Sequence, residues 1–172
     1  RFWPGPGTGG HCIPIDPLFL NYAAKKYGYD SKFVKLSADV NIKTVKFIEK
    51  KVISFLIKNN IKLSSANILF LGLAYKKNID DYRESASLKL FDLLTRKKIK
   101  KIKFYDPHFK KDNIPKNINL LKKLTAKNLL EFDLVILLTD HDRFDYKFID
   151  KNSKKIIDCR GRFSISDKII RG

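Results

Sequence analysis

The sequence predicts an α/β fold, with a helical connector followed by a doubly wound parallel sheet. Three observations predict it. The run Asp133-Leu134-Val135-Ile136-Leu137-Leu138 is apolar on both faces, as a central parallel strand covered by helices must be. After residue 64, short apolar runs ending in Gly or Asp-Pro alternate with helical stretches, the rhythm of a sheet built from crossovers. Before it, apolar residues recur at helical spacing with no strand signal.

Residues 1–17 read as a loop, with Gly and Pro throughout. Leu18, Phe19 and Tyr22 open a first helix, and Gly28 ends it. Val45, Ile48, Val52, Phe55 and Leu56 then fall on one helical face, with Lys46, Glu49 and Lys50 turned away. Residues 43–57 are therefore an amphipathic helix that needs a partner, and periodicity does not say whether that partner is this chain or a second subunit. Residues 62–65 break the pattern. Residues 67–72 form a buried strand ending in glycine. Residues 85–96 are helical, with Leu88, Phe91 and Leu93 or Leu94 inward. Residues 102–105 form a strand closed by the turn pair Asp106-Pro107. Residues 117–121 suggest a minor strand, 126–130 a short helix, 133–138 the central strand and 155–158 a last strand. The chain thus divides into a loop (1–17), a helical connector (18–63) and an α/β domain (64–172).

Composition narrows the partners. The 172 residues carry 36 Lys and Arg against 18 Asp and Glu, a net charge of +18. The lysines are dispersed, and no arginine-rich or aromatic-interleaved basic face stands out, so a nucleic-acid partner is not expected. Such a surface would instead steer an anionic small molecule. Two cysteines make no disulfide framework. No apolar run approaches the roughly 18–20 residues of a membrane span, and the cytoplasm is the expected location. The chain begins at Arg1 and holds no methionine, so we expect the C-terminal portion of a longer protein. No metal-ligating cluster is assigned.

Two motifs carry chemistry. The first is Pro4-Gly5-Pro6-Gly7-Thr8-Gly9-Gly10-His11-Cys12-Ile13-Pro14-Ile15-Asp16-Pro17. Its glycines satisfy G-x-G-x-x-G, but that fingerprint must follow a strand and open a helix. Only four residues precede Gly5, and Pro14 and Pro17 oppose an immediate helix. The string reads better as a loop wrapping a substrate. A lone cysteine is more often a small buried hydrophobe. Beside a glycine-rich loop, whose successive N–H groups favour an anion, Cys12 is instead a candidate nucleophile. His11 reads as structural or as a substrate contact. Asp16 on its own would be a helix-start residue.

The second motif is Gly72-Leu73-Ala74-Tyr75-Lys76-Lys77-Asn78-Ile79-Asp80-Asp81-Tyr82-Arg83-Glu84-Ser85. It lies between a predicted strand and a predicted helix, where open α/β sheets bind ligands. Lys76 offers a cation to an anionic ligand, and Arg83 can fork onto phosphate or a carboxamide. Their plain alternatives are an exposed lysine and a surface ion pair of Arg83 with Asp80 or Asp81. Asp81 and Ser85 also suit helix caps. Thr139-Asp140-His141 follows the central strand, and His141 there is read as structural. Asp158-Cys159-Arg160-Gly161 follows the last strand, with Cys159 read as an inert buried thiol.

Both motifs resemble the UDP-glucose/GDP-mannose dehydrogenase family of nucleotide-sugar 6-dehydrogenases. The resemblance runs from Pro4 to Gly161, and the first motif is nearest the branch acting on UDP-N-acetylhexosamines. It implies a Rossmann-like C-terminal domain holding the nucleotide and a central helix pairing subunits into a homodimer or larger homo-oligomer. It also implies an N-terminal NAD-binding domain that this chain lacks. The implied reaction takes a C6 alcohol to a carboxylate in two hydride transfers to NAD, through a cysteine thiohemiacetal and thioester. Carried over residue by residue, Cys12 and Asp16 are catalytic. Gly7, Thr8 and Gly9 bind substrate, with Trp3 and Thr8 at positions lining the sugar. Tyr75, Lys76 and Arg160 also bind substrate, and Arg83 binds the cofactor. A lysine and an asparagine of the family's catalytic set lie upstream, so this chain alone is expected to be inactive. His11 and Ile13-Pro14 favour UDP-N-acetylglucosamine or UDP-N-acetylmannosamine over UDP-glucose. The rival of another class is a non-catalytic module that binds a UDP-sugar or a partner.

Overall fold

The computed structural model describes residues 4–110 and 114–172, so Trp3 lies outside the described residues. The chain builds two helices, then a five-stranded parallel sheet with helices on both faces.

Helix α1 spans Asp16–Lys25. It starts earlier than expected, because Pro17 sits in the first turn, where its missing N–H leaves no bond unmade. Gly28, at φ +80°, closes it, and the Tyr29 amide reaches back to the Ala24 carbonyl. Helix α2, Lys32–Lys58, is capped by the Ser31 hydroxyl, which accepts from the Val34 amide. Asn21 joins the two helices. It is buried, its Nδ2 donates to Asp30, and its Oδ1 accepts from the Ser31 amide at 2.7 Å.

The sheet order is β2-β1-β3-β4-β5, all parallel. The strands are β1 (Asn67–Leu71), β2 (Lys101–Tyr105), β3 (Leu134–Leu137), β4 (Ile156–Asp158) and β5 (Ile169–Arg171). Alternate strand residues feed two cores. Ile68, Phe70, Leu134, Ile136 and Ile157 pack towards α2 and α3 (Ala86–Arg96). Leu69, Leu71, Val135, Leu137 and Ile156 pack towards α4 (Ala126–Glu131) and α5 (Tyr146–Asn152). The inner stripe of α2, Val45, Ile48, Val52 and Leu56, is buried in the first core. Its partner is therefore the sheet domain of the same chain.

Some local expectations are corrected. On α3 the deepest residues are Ala86, Ser87, Leu90 and Leu94, while Leu88, Phe91 and Leu93 flank them half-buried. Ser87 faces inward because its hydroxyl donates to the Gly72 carbonyl at 2.7 Å. The segment 117–121 is no strand but a single parallel bridge, Phe104 to Leu120, a short edge of the kind that limits pairing with other chains. Helix α5 and strand β5 were not foreseen. The order reverses between β1 and β3. Their carboxyl ends, Gly72 to Ala74 and Leu138 to His141, therefore flank the switch point where ligands of open sheets bind. Among the described residues no helix is long and apolar enough to cross a membrane.

Candidate functional site

The two motifs, some sixty residues apart in sequence, meet. The Gly10 amide donates to the Arg83 carbonyl at 2.9 Å. Gly9 and Gly10 lie flat against Tyr75, so a Cβ on Gly9 would stand 2.6 Å from the Glu84 carbonyl oxygen and 2.7 Å from Tyr75 Cβ. A Cβ on Gly10 would stand 2.8 Å from the Tyr75 ring, and Gly10 has φ +84°. No other residue type fits both positions. Gly5, at the head of the loop, rests against the Arg160 guanidinium. Arg160 is itself aimed by Asp140, which accepts from its Nε at 2.8 Å.

Cys12 is exposed at the far end of this loop. Its carbonyl accepts from the Ile15 and Asp16 amides at 3.0 and 2.8 Å. The second of these bonds spans four residues, so the thiol residue and Asp16 are one helical turn apart. Asp16 is exposed in the first turn of α1, where the helix dipole favours an anion. His11 is exposed. Thr8 is held through its backbone: its amide donates to Asn41 Oδ1 at 2.7 Å, and its carbonyl accepts from Asn41 Nδ2 at 3.4 Å. Gly7 packs on Asn41 and Val45.

Tyr75 is half-buried and Lys76 exposed. Arg83 forms the ion pair with Asp81 that the sequence left open, with Nε at 2.9 Å and Nη2 at 2.6 Å from Oδ2. That contact lowers the Asp81 pKa and raises that of Arg83. The Arg83 side chain is still 64% exposed, so it can turn a cation towards a ligand beside the thiol. The structure thus brings Gly9, Gly10, Tyr75 and Arg83 together, with Gly5 against Arg160 at the head of the loop. Cys159 is buried and free, and burial pushes its thiol pKa up to about 12.

These two motifs fall within matches to known families. Residues 69–165 match the UDP binding domain of the UDP-glucose/GDP-mannose dehydrogenase family, and residues 1–43 match its central domain. The chain belongs to the UDP-glucose/GDP-mannose dehydrogenase family. It is 33% identical over 156 residues to a UDP-N-acetyl-D-mannosamine dehydrogenase of Methanococcus vannielii, covering 89% of this chain and 34% of that protein. It is 30% identical to an NDP-N-acetyl-D-galactosaminuronic acid dehydrogenase of Ralstonia solanacearum, covering 94% and 36%. The solved UDP-D-ManNAc dehydrogenase of Pyrococcus horikoshii superposes with a TM-score of 0.76 at 31% identity, over 95% of this chain and 37% of that one. The chain therefore spans about a third of the length of these relatives.

Sequence reasoning missed two polar residues of this family member. Asn41 is half-buried on α2, four residues before Val45 and so on the same face as the buried stripe, and an amide in line with an apolar stripe was a usable signal. Asp106 was read as a turn residue. It is buried, and one oxygen accepts from the Leu73 and Ala74 amides at 2.8 and 3.2 Å. The amides that follow β1 are those a pyrophosphate would need in a dinucleotide fold. Here a carboxylate of the chain already holds them.

Proposed function

We propose that this chain is the C-terminal part of an NAD-dependent nucleotide-sugar 6-dehydrogenase that oxidises a UDP-N-acetylhexosamine, with UDP-N-acetylmannosamine the first choice. The observation that carries this is the seating of Gly9 and Gly10 on Tyr75, with Gly10 bonded to Arg83. That seating joins the cysteine loop to the Tyr75–Arg83 segment, which supports reading the two motifs as one site. The names of the relatives favour an N-acetylated sugar.

Tyr75, Lys76 and Arg160 bind the nucleotide sugar, and Gly7, Thr8 and Gly9 line its sugar end. Arg83 is the cofactor contact. NAD supplies the hydride acceptor for both oxidations, and its own binding fold lies in a part of the protein outside this chain. Cys12, as thiolate, adds to C6 at the aldehyde level to form a carbon–sulfur bond as the carbonyl π bond opens, and the alkoxide takes a proton from water. Oxidation then removes the C6 hydride and that hydroxyl proton, and leaves a thioester. Water attacks the thioester carbon, Asp16 takes the proton of that water, and the thiolate leaves with its electron pair. Covalent attachment splits a hard oxidation into easier steps and retains the aldehyde. We further propose that the outer faces of α1 and α2 contact a second subunit and the N-terminal domain.

The test uses the intact protein carrying Cys12→Ala. UDP-sugar binding should be unchanged in calorimetry, while acid production falls by a factor of at least about a thousand, the scale of losing a covalent nucleophile. Normal acid production by that variant would sink the mechanism.

A further inference from the structure

We propose that Asp106 and His141 are positioning residues that hang the Tyr75–Lys76 substrate loop from both of its ends. This rests on the UDP-sugar reading above. Asp106 is 3% exposed and His141 0%. They stand at the carboxyl ends of β2 and β3, on either side of β1. Asp106 Oδ2 accepts from the Leu73 and Ala74 amides, which fixes the start of the loop. His141 Nδ1 lies 3.0 Å from the Asn78 amide, which fixes its end. A backbone N–H can only donate, so Nδ1 is an acceptor and Nε2 bears the proton. That proton points at Asp106 Oδ2, 2.9 Å away. The two anchors are thus one connected pair, and the span between them carries Tyr75, Lys76 and Lys77, with the Tyr75 amide also bonded to the Asp81 carbonyl at 3.0 Å.

The rest of the neighbourhood serves the same short span. Asp106 Oδ1 accepts from the His108 amide, and the His108 ring stacks on His141 with centroids 4.8 Å apart. Outside, Asp142 accepts from Asn78 Nδ2 at 2.6 Å and from Lys77 Nζ at 3.1 Å, and its own amide donates to Asn78 Oδ1. The two cores on either face of the sheet are apolar clusters that contain neither Asp106 nor His141. A loop fixed in advance spares the ligand the cost of ordering it.

The experiment compares wild type, His141→Phe and His141→Gln in the intact protein. Its readouts are UDP affinity by calorimetry, steady-state oxidation of UDP-N-acetylmannosamine, and thermal melting. Phe keeps the ring and loses both hydrogen bonds. Gln has one acceptor and one donor spaced much as the ring nitrogens are. His141→Phe should weaken UDP and raise KM about tenfold, the worth of one lost anchor. Its kcat should stay within about twofold, as for uniform binding lost. His141→Gln should recover affinity to within about threefold of wild type. Wild-type affinity in His141→Phe, or His141→Gln as weak as His141→Phe, would overturn the proposal. If His141→Phe does not melt cooperatively, the exposed Asp142→Ala decides. It should weaken UDP about threefold, and unchanged affinity there overturns the proposal too. A wild type that binds no UDP would sink the UDP-sugar reading instead.

Discussion

The sheet domain and the α1–α2 connector are built from similar proportions of apolar residues, yet only one is finished. Phe70 and the whole of β3 are fully buried, whereas Tyr27 is 90% exposed and Phe33 79%. Helix α2 spans the contrast. Its inner stripe from Val45 to Leu56 closes the first core, while Phe33, Leu36, Val40 and Phe47 on its outer side face solvent. A large apolar side chain gains about 1.5–3 kcal/mol on full burial, and several left exposed together mark a contact surface. The comparison teaches that the sheet is held by this chain's own residues, while the connector keeps large apolar side chains that the described residues leave uncovered.

The largest expected effect tests the finished half. Phe70→Ala should cost about 3–5 kcal/mol in denaturant unfolding, the range for an aromatic lost from a close-packed core. The same truncation at Phe33 should cost no more than about 0.5 kcal/mol in this chain alone. Equal costs would break the contrast.

Asp106→Asn comes next, at about 2–3 kcal/mol, because its amide nitrogen must face donors in a buried site, either the His108 amide or the His141 N–H with the Leu73 and Ala74 amides. It should also change the acid limb of stability. Burial pushes the Asp106 carboxyl up, but His141 and the His108 and Leu73 amides outweigh that, so its pKa is below the ordinary 3.8. A depressed carboxylate stabilises fully above 3.8 and loses that contribution as pH falls towards its folded value. His108 is lowered from 6.5, by burial and then by His141. A depressed imidazole likewise stabilises above 6.5 and loses it on the acid side. Melting temperature should therefore fall in two stages below pH 6.5. Asp106→Asn should flatten the later one and deepen the earlier one, because the Asp106 charge holds the His108 pKa up. An unaltered profile would remove Asp106 from the account.

What could be read in advance follows from where the physics is local. The strand at 133–138 and the amphipathic stripe of α2 were legible because burial on two faces, or on one, writes a period into the chain. Strand β5 has three residues, too few for any period. Asp145, whose carboxylate caps α5 through the Phe148 amide, was a readable signal that went unused. The site divides in the same way. Glycines 9 and 10 signalled close approach, but not that Tyr75 was the thing approached. Asp106 before Pro107 looked like a turn, and its true role depends on amides 32 and 33 residues away. Such long-range partners leave no local trace.

Asn41 offers a smaller effect at the boundary between the two halves. Asn41→Ala should cost about 1 kcal/mol, and its readout is local. Hydrogen exchange at the Thr8 amide, now bonded to Asn41 Oδ1, should rise while exchange in β1 and β3 stays slow. Equal speeding everywhere would mean that Asn41 supports the fold rather than the cysteine loop.

The smallest effect on folding falls on the outer face of α2. Phe33→Ser with Leu36→Ser removes two exposed apolar side chains, so the sheet domain should melt within about 0.5 kcal/mol of the parent. Association is another matter. If a second subunit covers this face in the intact protein, each lost side chain removes burial worth about 1.5–3 kcal/mol from the interface. The double variant should then sediment as a smaller species at concentrations where the parent does not. An unchanged sedimentation profile would mean that no second subunit is held through this face. Proteolysis would then mark the difference, because an uncovered face leaves α2 cleavable and a covered one protects it.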